Sequence, residues 1–151
     1  MREANVDPEE LGLQFAKAIG AEDLEHIREV VHPNIHFRAL TPTKYQEAQG
    51  DDAVSETIAI LAGWFFDDGD DIQEVIDPKV EEMPSHGRYR LTYRLRLKST
   101  SAAEWFREEG WADPADDADW LVDQTGYYDV REGRIARMHM VCSGFHLIAA
   151  T

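Results

Sequence analysis

Between residues 88 and 98, apolar and charged side chains alternate without a break. Tyr89, Leu91, Tyr93, Leu95 and Leu97 share one parity; Arg88, Arg90, Thr92, Arg94, Arg96 and Lys98 share the other. A period of two marks a β-strand with one buried and one solvated face. Such a strand needs partners along its edges and a layer over its apolar side, so this segment alone demands a sheet packed on one face. Residues 120 to 130 repeat the pattern, with Trp120, Val122, Gln124, Gly126, Tyr128 and Val130 opposed to Leu121, Asp123, Thr125, Tyr127 and Asp129. Arg131-Glu132-Gly133-Arg134 then supplies a hairpin turn, with glycine where positive φ costs little. A last strand follows over 135 to 143, carrying Met138, Met140 and Cys142 on one parity. Residues 72 to 83 form another strand, bent at Asp77-Pro78 because proline cannot donate into a ladder.

The first half of the chain has helical periodicity. Asp7-Pro8-Glu9-Glu10 is a helix start, with Asp7 as N-cap and Pro8 at the first helical position. Leu11, Phe15, Ala18 and Ile19 then form one apolar stripe, and Gly20 ends it. Leu24, Ile27, Val30 and Val31 mark a second short helix, stopped by His32-Pro33-Asn34. A short strand over 35 to 40 precedes Thr41-Pro42. Gly50-Asp51-Asp52 caps a third helix whose face is Val54, Ile58, Leu61, Trp64 and Phe65. Asp67-Asp68-Gly69-Asp70-Asp71 reads as a solvated stop. It lacks the alternating acids and terminal glutamate of a calcium loop, so no metal is expected.

Residues 99 to 119 are too many for a hairpin loop. Ser101 and Glu104 fit a capping box, and Trp105, Phe106 and Trp111 are apolar enough to dock, which predicts an inserted helix and an acidic loop. The segment reads either as a lid over a cavity or as a contact with a second subunit. With 151 residues, the chain is expected to be a single domain over 1–151 containing this insertion. The formal net charge of −15 argues against a nucleic-acid partner, and no apolar run approaches the roughly 20 residues of a membrane span. The opening Met1-Arg2-Glu3-Ala4-Asn5-Val6-Asp7 does not look like an export signal, which makes the cytoplasm the expected location. Cys142 is the one cysteine and forms no internal disulfide.

Two stretches, His32-Pro33-Asn34-Ile35-His36-Phe37-Arg38-Ala39-Leu40-Thr41-Pro42 and Gly50-Asp51-Asp52-Ala53-Val54, resemble the pattern of SnoaL-like proteins in the nuclear transport factor 2-like superfamily. Asp129-Val130-Arg131-Glu132-Gly133-Arg134-Ile135 is similar to that superfamily's last turn, and Cys142-Ser143-Gly144-Phe145 to the ending of a bacterial branch. The resemblance implies an α+β fold: a cone-shaped curved antiparallel sheet with three N-terminal helices enclosing a pocket. It also implies a homodimer paired through the outer sheet face, where the arginine stripe of 88 to 98 lies. That stripe also reads as an ion-pair network with Asp123 and Asp129.

On this reading Phe37, Tyr45, Trp64, Tyr89, Tyr93, Trp120, Gln124, Tyr128 and Cys142 are the candidate ligand-binding residues, suited to a small apolar or aromatic ligand. The same side chains could instead simply fill the core. The superfamily's cyclases carry an aspartate at the end of the last strand, where this chain has Cys142-Ser143-Gly144-Phe145-His146. His36, Arg38 and His139 are the candidate catalytic residues, although parity places both histidines on the outer face. The expected function is a small-molecule pocket protein, a cofactor-independent cyclase, isomerase or dehydratase acting on an apolar or polycyclic intermediate. The alternative is a non-catalytic ligand-binding or protein-interaction module.

Overall fold

The chain lays down α1 (Pro8–Gly20), α2 (Leu24–Val30), β1 (Val31–Leu40), β2 (Tyr45–Ala48), α3 (Ala53–Ala62), β3 (Asp70–Glu82), β4 (Arg88–Ser99), α4 (Thr100–Glu108), β5 (Asp119–Arg131) and β6 (Arg134–Leu147). These elements come from a computed structural model that describes residues 7–42, 44–67, 70–85 and 87–148, the side chains of 66, 67 and 143 aside. The first six residues, and Asp68 and Gly69 of the acidic stop, lie outside the described residues.

Among the described residues six strands form one sheet in the order β2-β1-β6-β5-β4-β3. From β3 to β6 the chain meanders antiparallel, as the alternation predicts. The sheet is mixed rather than wholly antiparallel, because β1 runs parallel to β6. The reason is topological. After the β1–β2 hairpin the chain crosses by α3 to the far edge of the sheet, so β1 and β6 meet with no turn between them to force opposite directions.

Local chemistry explains the element ends. Asp7 caps α1 by accepting the Glu9 N–H at 3.0 Å, with Pro8 in the first turn. α2 ends at Val30, ahead of His32-Pro33-Asn34, and the chain passes directly into β1 at Val31, so that tripeptide lies within the strand rather than stopping the helix. The cap of α4 is Ser99, not Ser101: Ser99 Oγ accepts the Ala102 N–H at 3.2 Å. Glu132 and Gly133 take φ of 55° and 74°, the left-handed pair that a two-residue hairpin needs. Asp77 also has positive φ, and the β3–β4 register shifts between Ile76 and Lys79, which is the bend expected at Asp77-Pro78.

One face of the sheet is packed and the other is open. Leu91, Tyr93, Leu95 and Leu97 on β4 are buried, with Trp120, Val122, Gln124 and Tyr128 on β5 and Met138 and Met140 on β6. Each fully buried aliphatic side chain contributes about 1.5–3 kcal/mol. The opposite parity of β4 pairs Arg90 with Glu81, Arg94 with Asp123, and Arg96 and Lys98 with Asp119. Exposed ion pairs contribute only about 0–1 kcal/mol each, so the apolar parity decides which face turns inward.

Helix α1 lies across β3 and β4 on the packed face, burying Leu11, Phe15, Ala16, Ala18 and Ile19. It sits close to the sheet at Gly12, where a Cβ would collide with the Tyr128 hydroxyl and come within 2.8 Å of the Val80 methyl. Tyr128 cannot move away, because its hydroxyl donates to Pro8 O at 2.7 Å. Gly12→Ala is therefore a direct contest. Helix propensity favours alanine by about 1 kcal/mol, whereas overpacking costs about 1–3 kcal/mol. The clash should win, and urea denaturation should show Gly12→Ala to be less stable than wild type by up to about 2 kcal/mol; a stabilised variant would refute the close approach.

Candidate ligand site

Because α1 closes one end of the packed face, free space remains at the other. There, a cavity of about 120 Å³ lies between Ile19 at the end of α1, the β1–β2 turn, the chain after α3, the start of β3, and α4. Leu95, Leu97 and Val122 form its floor, and Cys142 and Phe145 line it from β6. The chain after α3 is a π-helical turn, Gly63–Asp67, which brings Trp64 and Phe65 to the wall. Trp64 is fixed there by its Nε1–H, which donates to Gln46 Oε1 at 2.9 Å. Ser101, Ala102 and Trp105 of α4 complete the enclosure. Helix α4 is held by a run of aromatic contacts: Trp105 on Trp111 at 4.9 Å, Phe106 on Trp120 at 4.8 Å, and Trp120 on Phe145 at 6.0 Å between ring centroids.

Polar atoms reach this apolar space at several places, and two of them are hydrogen-bonded couples on the sheet. Tyr93, which is buried, donates its hydroxyl to Gln124 Oε1 at 2.5 Å. With that oxygen engaged by Tyr93, Gln124, which lines the cavity, has its amide N–H groups left as donors. Burial raises the Tyr93 pKa well above the usual phenol value, so the hydroxyl stays protonated and the pair keeps this polarity. The second place is Asp70, the one carboxylate among the described lining residues. Its Oδ1 accepts the hydroxyl of fully buried Ser99 at 2.6 Å. Lys44 and Thr41 reach the rim from the β1–β2 turn. Burial, and then the Asp70 and Asp123 charges, push the Cys142 thiol up to about 11 against a partial offset from the Gly144 backbone, which makes Cys142 a poor nucleophile.

Of the residues read from the sequence, Trp64, Gln124 and Cys142 line the cavity, and Tyr93 touches it through Gln124. Phe37, Trp120 and Tyr128 are core, each 2% exposed or less. Tyr128 is spent on Pro8, and Tyr89 stacks on it at 5.5 Å. Tyr45 lies on edge strand β2, 52% exposed. His36, Arg38 and His139 do not reach the cavity; they line a separate cleft on the outer face. His36 is bonded to Glu47 at 2.5 Å, and burial and the Arg38 charge lower the His139 pKa. Asp70 was hidden by its run of acids, yet it lies two residues before inward-facing Ile72 and so shares its parity. Phe145 was hidden by a bulge: the β5–β6 register shifts between Val122 and Gln124, and Gly144 takes φ of 134°.

The same arrangement of helices and sheet superposes on a set of solved structures. A candidate isomerase from Bacillus subtilis superposes with a TM-score of 0.66 at 10% identity, covering 89% of this chain and 84% of its own. A candidate polyketide cyclase from Pseudomonas putida KT2440 gives 0.62 at 12% identity, covering 87% and 88%. The chain has the nuclear transport factor 2-like fold. An LEH-like epoxide hydrolase from M. tuberculosis has the same architecture, with a TM-score of 0.56 at 11% identity over 89% of this chain and 76% of that one. No family model and no curated protein matches the sequence. At these identities the likeness is one of fold, so any chemistry must be argued from the cavity itself.

The Cys142 environment is directly testable. Raising a thiol pKa from about 9 to about 11 lowers its thiolate fraction near pH 8 roughly a hundredfold. Iodoacetamide should alkylate Cys142 about two orders of magnitude more slowly in the folded chain than in urea. Similar rates in the two states would contradict the buried placement.

Proposed function

We propose that this chain is a cofactor-independent acid–base enzyme, an isomerase or dehydratase, acting on a small apolar substrate that carries one carbonyl group. The observation that carries this reading is the placement of Asp70, anchored by Ser99, on the wall of an otherwise apolar cavity that also holds the Gln124 amide. A carboxylate next to bound substrate can remove a proton from the carbon beside a carbonyl, forming carboxylic acid and enolate. The developing oxygen charge requires a preplaced donor, and the Gln124 N–H groups supply one. Return of the same proton to a different carbon gives isomerisation. Its delivery to a departing hydroxyl gives dehydration and releases water.

Cavity size narrows the substrate class. An apolar cavity of about 150 Å³ accepts benzene, whereas pockets for larger ligands run to about 300–1,000 Å³. At about 120 Å³ the enclosed space suits a single ring or a short branched chain. A polycyclic intermediate would enter only with outward movement of α4, which bounds one side.

The test is proton exchange. In heavy water, monocyclic ketones and enones should incorporate deuterium beside the carbonyl in the presence of the protein. Asp70→Asn should lower that rate by roughly 10²–10⁴-fold while ligand quenching of tryptophan fluorescence persists. Ser99→Ala should lower it less, because it loosens the carboxylate without removing it. Tight binding with no exchange in the wild type would reject the enzyme reading in favour of a non-catalytic binding module.

A further inference from the structure

We infer that the outer face of the sheet carries a second binding site, a cleft between Arg38 and Arg88 that takes a small oxyanion, either a carboxylate or a phosphate. Strand register stacks the outer side chains in rows. One row runs Arg38, His139, Tyr127 and Arg90 across β1, β6, β5 and β4. The next runs His36, Arg137, Asp129 and Arg88 across the same strands. Between them lies a cleft of about 640 Å³ whose walls include Arg38, Arg88, Arg137, Tyr127 and His139. It is on the opposite side of the sheet from the apolar cavity, so it stands independently of the acid–base reading.

Ion pairing separates two of these arginines from the rest. Arg94, Arg96 and Arg90 are matched to Asp123, Asp119 and Glu81, and Arg137 lies 3.8 Å from Asp129. Arg38 is opposite Glu47 in register, but that carboxylate is engaged by His36. Neither Arg38 nor Arg88 has a side-chain hydrogen bond or ion-pair partner among the described residues. Among its described lining residues the cleft thus gathers three arginines against one carboxylate, Asp129, in a chain of net charge −15. A concave site concentrates such a field, and an anion repelled by the rest of the surface is drawn to it.

The geometry favours a small oxyanion. β1 and β4 are three strand spacings apart, and with the two-residue offset between the rows Arg38 and Arg88 stand about 16 Å apart at the backbone, lining the cleft from opposite sides. A guanidinium presents a planar fork of donors that matches carboxylate or phosphate oxygens in pairs. Tyr127, 39% exposed, offers a hydroxyl on the same wall. Burial and the neighbouring Arg38 keep His139 neutral near pH 7, leaving it as a hydrogen-bonding group rather than a further charge.

The experiment is an NMR titration of the ¹⁵N-labelled full chain with sodium phosphate and, separately, with sodium succinate, at ionic strength held constant with chloride. Saturable shifts should appear at the amides of Arg38, Arg88, Tyr127 and His139. Arg38→Gln and Arg88→Gln should each weaken binding about tenfold or more. Arg94→Gln, whose guanidinium is committed to Asp123 on an equally exposed part of the face, should leave it unchanged. The tighter of the two anions identifies the chemical source. Shifts that never saturate, or equal weakening in all three variants, would mean diffuse attraction and overturn the site. So would sedimentation showing a dimer that Arg38→Gln and Arg88→Gln both dissociate, since a second copy would then occupy the cleft.

Discussion

The seating of α1 on the sheet governs the rest of the molecule. The Tyr128 hydroxyl holds the first turn of the helix at Pro8 O, and Gly12 lets helix backbone rest against the tyrosine ring. That contact fills one end of the packed face with helix, leaving the unfilled volume where α1 runs out at Ile19 and Gly20. The cavity is thus a consequence of where the helix is pinned, and its walls are whatever the chain places beyond that point: the β1–β2 turn, the π-helical turn after α3, and α4. Packing near crystal density elsewhere makes such a void a specific feature rather than slack.

Within that void, the polar groups are arranged in complementary couples. Tyr93 gives its proton to the Gln124 oxygen, and Ser99 gives its proton to Asp70. The first couple orients the Gln124 amide and the second orients the Asp70 carboxylate. In a low-dielectric enclosure an arrangement set before ligand arrives costs no reorganisation when charge develops. Cys142, which lines the same cavity, is kept a thiol first by burial, with the Asp70 and Asp123 charges adding to it.

Much of the fold was legible because it rests on periodicity. The parities of β4 and β5 gave the inward set Leu91, Tyr93, Leu95, Trp120, Val122, Gln124 and Tyr128 without knowledge of the sheet order. Two elements were not legible. Edge strand β2 is four mostly polar residues that carry no alternation, and the parallel pairing of β1 with β6 is a long-range choice that no local pattern encodes. For the site, parity said which side chains face inward but not how far along the cone each lies. Phe37 and Tyr128 therefore proved to be filling, while Lys44 and Phe65, on segments without a strand pattern, reached the cavity. Asp70 was obscured by composition, its neighbours suggesting solvent where its strand position dictates burial of one side.

The irregularity at Gly144 has a consequence for how such a site can change over time. Up to Cys142 the even-numbered residues of β6 face inward; after one extra residue, odd-numbered Phe145 takes that orientation. Side-chain assignment at the cavity is therefore written in two reading frames joined at one point. Loss or gain of a single residue there would exchange Phe145 for a neighbour while leaving the remainder of the sheet in place. A lineage carrying this strand could acquire a new wall for its pocket by one short insertion or deletion, a larger step in ligand preference than most point changes allow.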